Sequence, residues 1–401
     1  MGVLIRKQKG LIITGIAKLA LISFIVALGI ALVDTIWAVY MNSFVNSIVL
    51  VGYISAALTL VSFLSYFLFI PIIEKSKKNK LYSLTLLLFG ISYILFAINT
   101  KFYFFIILAF FITILHTLRI TCFGIIVKEN SPEKQLSRNE GLMYTFMNLA
   151  WTIGPLIAGF FSQKFGINRV FLLSALFIFI AFFILKILKV KKPKVKKRID
   201  KNMFKNFFDF FKSKERSLAY FLGGGVNYWW SLIYLFMPLF ILERGLSTPW
   251  IGYFLFAVAV PLIAFQYYFS KLAGKIGFKK IFKIGFFIPA FFAFICFFIG
   301  NIYFILLLLV IASIGLAMLE ATTEAYFFDI LKGKQDLRFY GPYNTTIEIN
   351  HFIGRFLSAT ILIFLPFKFI FLFFSFSMFV FFFLSFKVKN IIESRRDGKR
   401  N

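Results

Sequence analysis

Reactive and ionisable side chains are what this sequence has least of. Among 401 residues there are 2 Cys, 2 His and 16 Asp and Glu. Cys122 and Cys296 both lie inside apolar stretches, so no disulfide framework is implied and both read as core thiols. There is no nucleophile–base pairing, no metal-ligand spacing and no phosphate-binding loop. The expectation is a chain that is not an enzyme and carries no cofactor and no metal. Long polar segments are equally scarce. There is one, Leu188–Arg216, and together with Lys186 it holds 13 of the 45 Lys and Arg residues.

What is present is apolar. The chain is 60% hydrophobic with a mean hydropathy of +0.87, against roughly 45–50% apolar in soluble domains. The 61 Phe residues read as biased composition that packs well in lipid, not as a ligand cage. Apolar runs of about 18 residues or more read as membrane spans. They are expected at about 15–41, 47–73, 81–99, 102–127, 140–162 and 169–188, then at 217–242, 249–270, 281–300, 302–331, 339–364 and 367–387. The first run, Gly15–Val39, is too long for a signal-peptide core and is treated as a span.

The net charge of +29 raises nucleic acid as a partner, and its distribution excludes it. With a cytoplasmic N-terminus, the basic residues gather in cytoplasmic segments. The exceptions are Lys101, Lys164, Arg169, Arg244 and Lys368 outside, and Lys18, Arg119 and Arg355 within spans. That is the positive-inside pattern of a multi-pass protein with both termini cytoplasmic. The expected setting is the plasma membrane, the expected partners are the lipid bilayer, protons and a small molecule, and the expected state is a monomer.

The two halves repeat each other at an offset of 200 residues: Gly52-Tyr53 recurs as Gly252-Tyr253, Lys75 as Lys275, Lys80 as Lys280, Glu129 as Asp329, Gly141 as Gly341 and Gly154 as Gly354. Three regions follow: a six-helix bundle over 1–188, a basic linker over 189–216, and a second six-helix bundle with a basic tail over 217–401. Within the linker, Phe204, Phe207, Phe208 and Phe211 share a helical stripe, with Lys205, Asp209 and Lys212 off it. This predicts a short amphipathic helix on the inner leaflet; a docking site for a partner is the sharper alternative.

Local motifs carry a family resemblance. The loop after span eight reads SKLAGKIGFKK, Ser270–Lys280, with Leu272, Ala273, Lys275, Gly277 and Lys279 at motif positions and Gly274 where an acid is usual. Its first-half copy, Ile70–Lys80, keeps Glu74, Lys75 and Lys78 and loses both glycines. Span five reads AWTIGPLIAG, Ala150–Gly159, and span four carries L-x-x-x-R at Leu115–Arg119. With twelve spans in two halves, these resemble the major facilitator superfamily. The resemblance implies an all-α membrane fold of two pseudo-symmetric six-helix bundles, a plan known among secondary transporters. Span five resembles the family's antiporter motif, which implies exchange of substrate for protons. Its Gly154-Pro155 pair combines close helix approach with a bend. In span four glycine comes at Gly124, one residue later than the motif has it.

Charges at bilayer depth are costly and are normally paired or functional. Asp34 in span one is the first candidate for proton or cation coupling, with a structural ion pair as the alternative. Arg119 cannot plausibly deprotonate; it either sets the behaviour of Asp34, holds an anionic substrate group or braces the helices. His116, three residues earlier, is a proton relay or a satisfied core group. Glu320 and Glu324 sit one turn apart in span ten and could bind protons or a cation; pairing with Arg355 is the alternative. Glu348, His351 and Arg355 form a polar stripe in span eleven, read as a buried network or as a proton path. Trp37, Trp151, Tyr228, Trp230 and Tyr234 are candidates for lining the cavity, with packing as the alternative. Glu74, Lys75, Glu129, Asp329, Gly154 and Pro155 are expected gating positions.

The function expected is alternating-access secondary transport, as proton-coupled export of lipophilic or cationic molecules. Two alternatives remain: proton-coupled import of a sugar, amino acid or organic anion, and a membrane receptor or scaffold that does not transport.

Overall fold

The computed structural model describes residues 4–6, 11–13, 15–131, 136–187, 203–331 and 335–389; of Glu74, Lys75, Glu140 and Phe204 it describes the helical backbone but not the side chain. The linker over 189–202, the tail beyond residue 389 and the expected gate side chains Glu74 and Lys75 therefore lie outside the described residues.

Lipid offers no hydrogen-bond partners, so a spanning backbone must satisfy itself, and long helices do so. The first half holds α1 (Gly15–Val45), α2 (Ile48–Lys75), α3 (Lys78–Ile98), α4 (Phe102–Asn130), α5 (Leu136–Phe165) and α6 (Ile167–Ile187). The second half opens with the short α7 (Met203–Phe211). Next, α8 (Lys214–Ser231) runs through a π-helical turn, Leu232–Phe236, into α9 (Met237–Glu243). There follow α10 (Thr248–Ile276), α11 (Phe278–Phe298), α12 (Ile302–Ile330), α13 (Gln335–Asn344), α14 (Thr346–Phe364) and α15 (Lys368–Ser385). Before α1 a small antiparallel hairpin pairs Leu4–Arg6 with Leu11–Ile13, which the hydropathy pattern did not foretell.

Among the described residues eleven helices are long and apolar enough to cross a membrane. The expected fifth span lies within α5. At 30 residues α5 is long enough, but it spends positions on Thr145, Asn148, Thr152, Pro155, Gln163 and Lys164. It completes two sets of six. Span eleven, expected as one helix, is α13 and α14 with a break at Thr345, just beyond Pro342.

The chain divides into two compact units, Met1–Phe44 with Val61–Ile199, and Val45–Leu60 with Asp200–Asn401. The first part of α2 thus belongs with the second unit. Within each unit the same residue pairs meet. A Cβ on Gly154 would stand 2.6 Å from the Cβ of Ala31, and one on Gly354 would stand 3.1 Å from the Cβ of Ser231. The rings of Tyr40 and Phe171 are 4.5 Å apart, those of Phe240 and Phe371 5.5 Å. A Cβ on Gly29 would lie 3.2 Å from the Ser174 carbonyl oxygen, while Trp229 sets its ring 6.2 Å from Phe374. In all three cases both partners shift by 200 residues, so the repeat extends from sequence to packing.

The motif loop also explains its own asymmetry. Gly277, between α10 and α11, has φ of +89°, a conformation that only glycine adopts without strain. Its counterpart Lys77 has φ of −75° and needs no glycine.

The linker helix α7 forms, and it docks through residues off the stripe expected to face the inner leaflet. Asn206 and Phe210 are buried, and the Phe210 ring lies 5.9 Å from Phe339 of α13 and 6.1 Å from Phe327 of α12. Phe208 is 70% exposed. Polar anchors decide the orientation. Asp209 pairs with Arg338, whose Nε donates to Asn206 Oδ1 at 2.8 Å. Arg216 donates to the carbonyls of Asp209 and Phe210.

Candidate functional site

In the first unit α1 and α4 bring two charged residues together. Asp34 is half-buried between the buried Val33 and Thr35. Arg119 is buried, with its guanidinium 5.9 Å from the centre of the Phe89 ring. Its Nε has no hydrogen-bond partner among the described residues. Asp34, Tyr66, Tyr82 and Tyr93 all lie within electrostatic reach of Arg119, and Asp34 also acts on Tyr93. His116, half-buried, is within reach of Arg119, with its ring 6.3 Å from that of Phe89. A fixed cation, a carboxylate and phenol hydroxyls in one setting can hold an anionic group or balance a proton on Asp34.

In the second unit α12 presents two acids in different settings. Glu320 is half-buried, and its carboxylate has neither a hydrogen bond nor an ion pair among the described residues. The ion pair with Arg355 considered for Glu320 is thus not formed. Glu324, one turn on, accepts a hydrogen bond from the Tyr340 hydroxyl at 3.0 Å.

On α14, Glu348, His351 and Arg355 are all half-buried. His351 lies within electrostatic reach of Arg355. Arg355 Nη1 donates to Thr59 Oγ1 at 2.6 Å and to the Ser55 carbonyl at 3.3 Å, both in the Val45–Leu60 stretch of the same unit. Beside them Tyr53 shares a 3.0 Å hydrogen bond with Thr360.

The candidate aromatics fall into two groups. Trp37 packs edge-on to Phe96 at 5.4 Å, with Phe105 and Phe171 nearby. Trp151 packs beside Ala27, Leu28 and Ala150. Tyr228 is buried, its hydroxyl 2.9 Å from Ser377 and its ring 4.6 Å from Phe374. Trp37 and Trp151 are half-buried in these contacts. Trp230 and Tyr234 stay half-buried, their rings 5.5 Å apart, and Tyr234 sits in the π turn. Of the gating positions, Glu129 at the end of α4 is within electrostatic reach of Lys78 on α3. Asp329 is half-buried at the end of α12. Among the described residues no group of three or more His, Cys, Asp and Glu could hold a metal ion.

Sequence reasoning missed Tyr340, the tyrosines around Arg119, and Ser55 and Thr59. Tyr82, Phe89 and Tyr93 follow a helical stripe that could have been noticed. Tyr340 and Thr59 left no local signal, because their partners lie far away in the chain.

The family model described as Major Facilitator Superfamily matches residues 19–299 and 230–400. The chain belongs to this superfamily. An uncharacterised MFS-type transporter of Methanocaldococcus jannaschii is 23% identical over 228 residues, covering 56% of this chain and 59% of the relative. The chain thus spans about three-fifths of the length of the curated relative it matches. Among solved structures, a POT family transporter in complex with 5-aminolevulinic acid superposes with a TM-score of 0.79 at 14% identity, covering 94% of this chain and 97% of that one. The nucleoside transporter NupG gives 0.77 at 11% identity, covering 94% and 100%. At these identities the likeness speaks for the fold. As a superfamily member the protein is a multi-pass membrane protein.

Proposed function

We propose that this superfamily member is a proton-coupled secondary transporter working by alternating access, and that it exports lipophilic or cationic molecules. The observation that carries the reading is Glu320. A carboxylate on a membrane-spanning helix with no partner among the described residues is costly to keep ionised. It holds a proton until a cation takes the proton's place, and that exchange is the elementary step of antiport. Glu324, held by Tyr340, and the half-buried Trp230 and Tyr234 supply further acidic and aromatic surface for a lipophilic cation.

The test uses inside-out vesicles from the plasma membrane, loaded to an acidic interior. Lipophilic cations, sugars and carboxylates are added in turn while internal pH is followed. The expected result is alkalinisation by the cations, abolished in Glu320→Gln. Substrate movement without proton movement, or an unaltered response in Glu320→Gln, would overturn the reading.

A second reading, uptake of a small organic anion, is favoured by the buried Arg119, whose Nε is unpartnered among the described residues. It predicts that carboxylates, not cations, move the proton, and that Arg119→Lys weakens their apparent affinity.

A further inference from the structure

The docking of α7 fixes which of its edges is left over. Asn206 and Phe210, one turn apart, are buried against the second unit. Asp209 pairs with Arg338 on one side and with Lys212, at 2.6 Å, on the other. Arg216 stacks 4.2 Å from the centre of the Phe339 ring and reaches back to the α7 carbonyls. These anchors leave the opposite edge to the surroundings. That edge carries Lys205 and Phe208, three residues apart, and runs on into Lys212 in the turn just after the helix, with Lys214 beyond. Phe208 is 70% exposed and the Lys212 side chain 75%.

We infer that the Lys205–Phe208–Lys212 edge of α7 is a binding surface for anionic phospholipid. The apolar ring and the two flanking ammonium groups match the acyl–headgroup boundary of a negatively charged leaflet, where amphipathic basic helices settle. Charge complementarity selects this occupant. The edge and its neighbour Lys214 are cationic, and the two acids beside it are already engaged, Asp209 by Arg338 and Lys212 and Glu215 by Lys389. A zwitterionic leaflet would offer the ring the same apolar boundary and the lysines no net attraction. The inference depends neither on the direction of transport nor on the coupling ion.

The test reconstitutes the full chain, carrying Phe208→Cys with a bimane label and with Cys122→Ala and Cys296→Ala, into vesicles containing brominated lipid. Brominated phosphatidylglycerol is expected to quench the label at least twofold more than brominated phosphatidylcholine. Salt at about 0.5 M should reduce that preference, and Lys205→Gln with Lys212→Gln should remove it. Equal quenching by both lipids in the parent, or none, would overturn the inference. The unsubstituted chain provides an independent measurement, amide exchange over 203–211 in nanodiscs. Slower exchange with phosphatidylglycerol supports the inference. Protection that appears only when cell extract is added overturns it in favour of a protein partner.

Discussion

Gly154 of α5 and Ala31 of α1 lie so close that a Cβ on the glycine would meet the alanine Cβ at 2.6 Å, and the pair at Gly354 and Ser231 repeats the approach less tightly, at 3.1 Å. The difference is chemical as well as geometric. The first contact has no flexible atom that can yield, whereas the second meets a serine hydroxyl at 3.0 Å. Gly154→Ala is therefore expected to cost about 1–3 kcal/mol of stability and Gly354→Ala less. Thermal unfolding of the purified protein checks the order, and Ala31→Gly should restore the Gly154→Ala variant. Equal losses at the two sites would contradict the packing argument.

Tyr340 acts through Glu324. Its hydroxyl is a donor to an intramembrane carboxylate, and such a bond is worth about 0.5–1.5 kcal/mol net. Tyr340→Phe should lower transport roughly three- to tenfold and move its pH profile. In a Glu324→Gln background the tyrosine should cease to matter to that profile. A purely structural tyrosine would instead lower activity in both backgrounds alike.

Gly277 and Lys77 make a paired prediction at equivalent loops. Gly277→Ala forces a side chain into φ of +89° and should cost about 1–2 kcal/mol. Lys77→Ala, at φ of −75°, should leave the unfolding temperature within error of the parent.

The anchoring of α7 has a defined pH range. The hydrogen bond from Lys212, with the charges of Arg338 and Lys205, holds the Asp209 carboxyl below the usual carboxylate range. A group whose folded pKa is depressed contributes stability above its unfolded value and loses it as pH falls through the folded one. Docking of α7 should thus be unchanged from about pH 8 to pH 5 and weaken only in stronger acid. A cross-link between cysteines placed on α7 and α13 would follow it, with Asp209→Asn loosening the helix above that acid range and removing the acid transition.

Much of the fold was legible because lipid demands it. A membrane span must be a long apolar run, so helices such as α1, α4 and α12 announce themselves. The rarity of intramembrane charge made Asp34, Arg119 and Glu320 stand out without any structure. What stayed hidden is what a helical period cannot encode. Periodicity gives the face of a helix but not its neighbour, so the tie of Arg355 to Thr59 and that of Glu324 to Tyr340 had no local mark. The packing of the half-buried Trp37 ring against Phe96, Phe105 and Phe171 likewise had no local mark. On α7 the phenylalanine stripe suggested a face for the inner leaflet, but had no mark of the anchors that Asn206, Asp209 and Phe210 make on the other side. Likewise the break at Thr345 comes with a proline that the hydropathy of the span outweighs.

The composition of α5 bears on how the chain is made. A helix carrying Thr145, Asn148, Thr152 and Pro155 gains little by entering lipid alone, since each polar group must find a partner there. After a break at Gly166 comes α6, which is strongly apolar. During biosynthesis the two should leave the insertion machinery as a hairpin, with α6 drawing α5 in behind it. Cutting synthesis between them should leave α5 outside the bilayer.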